Sequence, residues 1–291
     1  MDCLRHQSKN PAVCSHKKSV KNRQPFAGNE TWKRRRYSRS STNMNPRDRR
    51  MPDVIPRKIH YCWFGRKPKP KLYRKCIDSW HRFCPEYEII EWNEDNFDLT
   101  QHPYLQWCYD HQKWAFLSDF ARLLILREQG GVYMDTDVEI VKPLDELLEY
   151  DAFLGFETQT WINSGLGAGC IPQHGITDVL LEPYLEMKPA EDGSFKLTPC
   201  PRLNTNVLIP YGLKQDGTKQ QVCGAVILPV DYLNPYDDPT GRLEKTENTF
   251  SIHWYGKSWM NKRKILRSNL TRPIHRLFGI DALAKFRKRK L

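Results

Sequence analysis

The sequence has no run of about twenty apolar residues, so no transmembrane helix is expected. Its first residues hold no apolar stretch of the kind a secretory leader needs. Nine cysteines is an odd number, and Cys62, Cys76, Cys84 and Cys108 show no paired metal-ligand spacing. Reduced thiols in a cytoplasm are the simplest account of them. There is no internal repeat. Acidic residues are nearly missing from both ends. Residues 1–58 hold 16 Lys/Arg against 4 Asp/Glu, and residues 257–291 hold 12 against 1, whereas residues 59–256 hold 18 against 29. The net charge of +12 therefore describes two basic ends on an acidic body. No recognised nucleic-acid motif accompanies those ends, but their charge keeps a nucleic-acid-binding reading open.

Composition divides the 291 residues into three parts. Residues 1–51 are basic, polar and rich in Ser, Asn and Pro without apolar periodicity, and are expected to be disordered. Residues 52–262 alternate strand and helix patterns. Strands are expected at Arg57–Phe64, Tyr87–Trp92 and Ala152–Phe156. Helices are expected at Lys71–Phe83, Pro103–Gln112, Trp114–Gln129 and Leu144–Leu148. Such alternation implies an α/β sheet sandwiched by helices, with ligands at the carboxyl ends of strands. Residues 263–291 form a basic tail. Within it Leu277, Phe278, Ile280, Leu283, Ala284 and Phe286 fall broadly on one side of a helix, beside the basic cluster Lys285–Lys290. A surface helix for an anionic membrane fits that pattern, and so does a solvated tail.

The most informative stretch is Gly130-Gly131-Val132-Tyr133-Met134-Asp135-Thr136-Asp137. Two glycines permit a tight turn, and a short apolar run then reads as a buried strand. On an extended strand Asp135 and Asp137 would point to the same side. Two carboxylates held together repel, and a hard divalent cation such as Mg²⁺ or Mn²⁺ would neutralise them through oxygen ligands. A solvated strand end with two acids is the plainer alternative.

The preceding segment, Trp114–Gln129, is apolar almost all round. Apart from its last turn, only Ser118, Asp119 and Arg122 break the pattern, and helical geometry places them in one narrow arc. Either that stripe faces a site, or Asp119 and Arg122 form an internal i,i+3 ion pair.

Together these residues resemble a known family. Ser118-Asp119-x-x-Arg122-x-x-x-Leu126-x-x-x-Gly130-Gly131-x-Tyr133-x-Asp135-x-Asp137 is similar to the DxD sugar-binding region of glycosyltransferase family 32, which includes yeast-type initiating mannosyltransferases and many bacterial polysaccharide-synthesis enzymes. The resemblance extends from Ile55–Gly65 to His253-Trp254-x-x-x-Ser258-Trp259. It implies the GT-A fold, a Rossmann-like nucleotide-diphospho-sugar transferase domain, and Mn²⁺ or Mg²⁺ with a nucleotide sugar as co-substrate. It also implies transfer with retention, to a saccharide or lipid-linked saccharide, in capsular or surface polysaccharide synthesis.

The resemblance further implies roles for single residues. Asp137 ligates the metal, and Asp135 contacts ribose and sugar hydroxyls and reaches the metal indirectly. Asp119 and Arg122 hold donor hydroxyls, and Tyr133 lines the same pocket. Trp63 stacks on the base, while Ser258 and Trp259 contact metal and diphosphate. His253 stands where toxin members of similar pattern use a carboxylate, so both a metal role and a structural role are open to it. Asn163, in a glycine-rich loop, and Asn206 can bond sugar hydroxyls.

A second class is also written in the motif. Asp135-Thr136-Asp137-Val138 fits the signature of haloacid-dehalogenase-type phosphatases, with Asp135 as nucleophile. That fold needs a further acidic motif and a DxD near the chain start, and neither is seen.

Overall fold

The computed structural model describes residues 54–256 and 262–279. The expected disorder of residues 1–51, the roles given to Ser258 and Trp259, and most of the expected tail helix lie outside these residues.

The first expected elements form where the pattern puts them. Strand β1 is Lys58–Cys62, helix α1 is Lys71–Phe83 and strand β2 is Glu88–Trp92. Two helices follow, α2 at Pro103–Asp110 and α3 at Trp114–Gln129. Helix α3 stops at Gly130, whose φ of 61° is one that few other residues adopt. A Cβ there would come 2.7 Å from Pro172 Cδ, so close packing and backbone both call for glycine. Strand β3 is then only Gly131–Tyr133, and β4 is Val138–Ile140.

The short helix expected at Leu144–Leu148 is instead a 3₁₀ turn at Asp145–Glu149, before β5 at Ala152–Phe156. Next come β6 (Ile162–Asn163), β7 (Ala168–Cys170), α4 (Gly175–Leu185) and α5 (Cys200–Leu208). Strands β8 (Gln220–Val222) and β9 (Ala225–Leu228) lead to the short α6 (Val230–Leu233). The hairpin β10 (Tyr236–Asp237) and β11 (Arg242–Leu243), then β12 (Ser251–His253) and α7 (Lys262–Phe278), complete the order.

The main sheet runs β2-β1-β3-β7-β5-β9-β8, with β6 on β5. Its first three strands are parallel, β7 is antiparallel to both neighbours, and β9 is again parallel to β5. This is a Rossmann-like half joined to a mixed half through one reversed strand, the GT-A architecture that the sequence implied. One core lies against α2, α3, α4 and α5, and the other against α1, β4 and the 3₁₀ turn.

Strand β4 leaves the main sheet and pairs with β12 as a separate antiparallel ribbon. Helix α1 holds that ribbon. Trp80 Nε1 donates to Val138 O at 2.8 Å, and Ile140 N donates to Ser79 Oγ at 2.9 Å. The seven cysteines among the described residues are all free, and six are buried.

Candidate active site

The two carboxylates do not share an extended strand, which corrects the sequence reading. Strand β3 ends at Tyr133, and Asp135, Thr136 and Asp137 form a turn closed by Val138 N donating to Asp135 O at 3.0 Å. The reason is the departure of β4 from the sheet: the chain must bend between β3 and β4. The bend hands each carboxylate to a different cation.

Asp135 meets Arg122. The Nη2 of Arg122 lies 2.9 Å from Asp135 Oδ1 and 2.8 Å from Asp119 Oδ1, so one guanidinium serves two carboxylates. The internal ion pair of the α3 stripe therefore forms, and the same guanidinium reaches the DxD turn. Ser118 takes no part in this; its hydroxyl donates back to Trp114 O at 2.8 Å within α3. Tyr133 Oη donates to Asp135 Oδ1 at 3.2 Å, and the Arg122 guanidinium sits 4.9 Å from the Tyr133 ring centre. Tyr133 is buried, so it braces the pair from behind.

Asp137 meets His253. Their Oδ1 and Nε2 are 3.4 Å apart, and the Gly256 N–H donates to Asp137 Oδ2 at 2.7 Å. The β4–β12 pairing places Val138 opposite His253 and so creates this contact.

Burial sets the electrostatics. It pushes Asp119 up to about 7, against the pull of Arg122. Asp135 is also raised by burial, which outweighs Arg122, and repulsion from Asp137 adds to it. Burial opposes ionisation of Asp137 too, but His253 and the Gly256 N–H hold it below the usual carboxylate range. His253 loses by burial and gains more from Asp137, so its imidazole stays above its ordinary value.

The position of Asp119 gives a pH dependence. An unfolded aspartate titrates near 3.9, so between about pH 4 and 7 the folded chain keeps a proton that the unfolded chain has lost. The proton-bound excess lies with the folded state, and stability falls as pH rises through that window. Asp119→Asn removes this contribution. The stability of the variant relative to the native chain should therefore rise from pH 4 to 7 and level off above, as read by urea denaturation at each pH.

Several residues join the site that sequence reasoning did not single out. Glu157, just past β5, accepts from Asn163 Nδ2 at 3.2 Å, and its charge acts on Asp119, His253 and Tyr255. Tyr255 packs on His253 with ring centres 4.1 Å apart and planes tilted by 39°, and accepts from Asn234 Nδ2 at 2.7 Å. Cys200, at the start of α5, gives its backbone N–H to Asp119, and its thiol lies 3.5 Å from Arg122 Nη1. A carboxylate ending a central strand was the signal available for Glu157; nothing local marks Cys200 or Tyr255.

The glycine-rich loop does come close to the carboxylates. A Cβ at Gly165 would overlap Asp135 Oδ2 and lie 2.8 Å from Arg122 Nη1. Those atoms belong to a buried ion pair and have little room to yield. Gly165→Ala should therefore cost about 1–3 kcal/mol, visible as a lower urea midpoint with the Asp135 region perturbed.

Asn163 is buried and its amide is engaged at both ends: Oδ1 accepts from Gly165 N at 2.7 Å while Nδ2 holds Glu157. It shapes the loop. Asn206 is exposed on α5. Trp63, half-buried at the end of β1, donates to Lys67 O at 2.6 Å and packs 5.4 Å from Tyr73. A Cβ at Gly256 would come 2.5 Å from Tyr73 Oη, so Trp63 lies one side chain away from the segment that binds Asp137.

The donor chemistry of Asp135 and Asp137 suits a hard divalent cation that brings phosphate oxygens and water as its other ligands. Among the described residues no group of three or more His, Cys, Asp or Glu side chains is gathered as a metal site. His253 directs Nε2 at Asp137, and its Nδ1 is buried without a hydrogen-bond partner among the described residues. In this arrangement it supports the carboxylate.

Comparison with known proteins agrees with this geometry. Residues 70–154 match the family model described as the glycosyltransferase sugar-binding region containing the DXD motif. Inositol phosphoceramide mannosyltransferase 3 of Schizosaccharomyces pombe is 32% identical over 108 residues, which are 35% of this chain and 29% of that protein. Mannosyl phosphorylinositol ceramide synthase of Saccharomyces cerevisiae is 27% identical over 140 residues, 45% of this chain and 35% of that protein. The matched part thus spans about a third of the length of these curated relatives. Among solved structures, a glycosyltransferase involved in the glycosylation of the major capsid of PBCV-1 has 14% identity and a TM-score of 0.41, over 73% of this chain and 97% of that one. Through residues 70–154 the chain is thus similar to glycosyltransferase sugar-binding regions that contain the DXD motif.

Proposed function

We propose that the chain transfers a sugar from a nucleotide-sugar donor to a hydroxyl acceptor, with a divalent cation and with retention at the anomeric carbon. The observation that carries this reading is the buried Asp119–Arg122–Asp135 cluster beside Asp137, at the carboxyl end of a parallel strand. Its side chains are fixed before any ligand arrives, as orientation of a sugar requires. Asp119 and Arg122 take the donor sugar's hydroxyls, Asp135 takes ribose and sugar hydroxyls, and Trp63 stacks on the base. Asp137, with Asp135 behind it, holds Mn²⁺ or Mg²⁺, which supplies charge neutralisation for the diphosphate.

Ser258 and Trp259 keep their expected part on the diphosphate side. His253 steadies Asp137 and sets its charge. A same-face route is favoured, in which positive groups around the departing phosphate stabilise its charge. Two fungal relatives are named for inositol phosphoceramide lipids, which favours a lipid-linked acceptor over capsular polysaccharide. The phosphatase alternative is disfavoured, because the DxD segment lies within residues 70–154, which match the glycosyltransferase sugar-binding model.

The test is a thermal-shift screen of nucleotide sugars with and without Mn²⁺, since ligands of the folded state raise stability by mass action. A donor found this way should also be turned over, and the first product, read by its NMR coupling constant, should keep the donor's anomeric configuration. Inversion would remove the retaining mechanism, and no stabilisation by any nucleotide sugar would remove the transferase reading.

A further inference from the structure

We propose that helix α7 is a docking face for an anionic phospholipid bilayer, with Leu266, Leu270 and Leu277 as its apolar edge. These three leucines are 61%, 68% and 75% exposed, among the most exposed large hydrophobic side chains of the described residues. Their spacing of four and seven residues places them in one stripe along the helix.

The opposite side is the one that docks on the protein. Arg272 donates through Nε to Asp238 O at 3.0 Å, pairs with the Asp238 carboxylate, and lies 5.8 Å from the centre of the Tyr236 ring. Helical geometry sets position 272 well round from the leucine stripe. The leucines thus face outward because the docked side is already chosen.

Charge identifies the occupant. Helix α7 contains six Lys or Arg and no Asp or Glu, on a body that is acidic over residues 59–256. Basic residues with an exposed apolar stripe match the two layers of an anionic bilayer surface, headgroup charge above acyl chain. A nucleic acid would satisfy the charge and leave the leucines in water. No helix among the described residues is long and apolar enough to cross a membrane, so the contact is with the surface.

The helix also has a route to the active site. Tyr236, beneath Arg272, packs 5.2 Å from Trp254 and 6.4 Å from Tyr255, and Tyr255 packs on His253. The docked side of α7 is therefore linked to the Asp137–His253 pair through two aromatic rings, and a bilayer on its leucine side lies one helix further out.

The experiment needs no sugar, so it is independent of the transferase reading. The full chain is sedimented with phosphatidylserine–phosphatidylcholine vesicles and with phosphatidylcholine alone, at moderate and high salt. The intact chain should bind the anionic vesicles, and high salt should weaken that binding.

The combined variant Leu266→Gln, Leu270→Gln, Leu277→Gln keeps helix propensity and every basic residue. It should keep the native thermal midpoint and bind the anionic vesicles roughly tenfold or more weakly, because three apolar side chains no longer leave water. Equal binding by the intact and substituted chains would assign any attraction to charge elsewhere and overturn the proposal. Failure of the intact chain to bind would overturn it as well, as would salt-sensitive capture of mixed-sequence DNA with no vesicle binding.

Discussion

Replacing Asp137 by Asn should abolish sugar transfer and donor hydrolysis while the chain stays folded. The side chain keeps its shape, and its remaining oxygen can still accept the Gly256 N–H now bound at 2.7 Å. What disappears is the negative charge, at the position where the DxD turn and β12 meet. A hard divalent cation depends on such charge for its affinity, and losing one such electrostatic contact in an enclosed site costs about 10²–10³ in rate. Two readouts separate the causes. Turnover of a nucleotide sugar should fall below detection or by about a hundredfold, and the Mn²⁺-dependent rise in thermal midpoint should vanish. His253, deprived of its carboxylate, should return toward ordinary or lower imidazole values, since burial then acts alone among the leading causes. A folded Asp137→Asn chain with full activity in EDTA would end the metal reading.

Arg122→Met carries the largest expected cost in stability. Its guanidinium is 2% exposed and is the partner of both Asp119 and Asp135. Methionine fills similar space but leaves two carboxylates buried without a counter-charge. Removing one partner of a buried ion pair typically costs about 3–5 kcal/mol, and the contact with the Tyr133 ring is lost as well. Adding Asp119→Asn to Arg122→Met should recover part of that loss, because one of the stranded charges is then gone. The non-additivity, measured by urea denaturation of the two single variants and the double variant, is the direct reading of the pair. A loss below about 1 kcal/mol for Arg122→Met would mean that the carboxylates are relieved by taking up protons or water.

The parts of this structure with a local cause were legible from the residues. Helix α3 could be read to its ends because an apolar cylinder stops at two glycines. Helix α1 was readable from the spacing of Leu72, Cys76, Ile77 and Trp80, of which Cys76 and Trp80 lie on its buried face, together with Tyr73 and Ser79. Asp119, Arg122 and Asp135 were recognisable as one motif because a helix and the turn after the next strand carry all three. What could not be read depends on pairing between distant segments. His253 reaches Asp137 only because β12 chooses β4, and Gly256 binds the same carboxylate from 119 residues away. The turn at Asp135–Asp137 was misread as strand because alternation alone cannot tell that β4 will leave the sheet. Glu157 and Cys200 were missed for a related reason: β5 and α5 bring them to Arg122 and Asp119 through tertiary packing that leaves no period in the sequence.

That turn has one more consequence, for the width of the site. Asp135 is fastened through Arg122 to α3, and so to the larger core. Asp137 is fastened through His253 and Gly256 to the β4–β12 ribbon, which rides on α1 through Trp80 and Ser79. The gap between the two carboxylates is thus a distance between separately anchored bodies, like the opening of a caliper, and not a fixed property of the tripeptide. A small slide of the ribbon on α1 would change the separation of the two carboxylates without moving a residue of α3. Substitutions at Ser79 or Trp80, which touch neither carboxylate, would then shift Asp137 relative to Asp135.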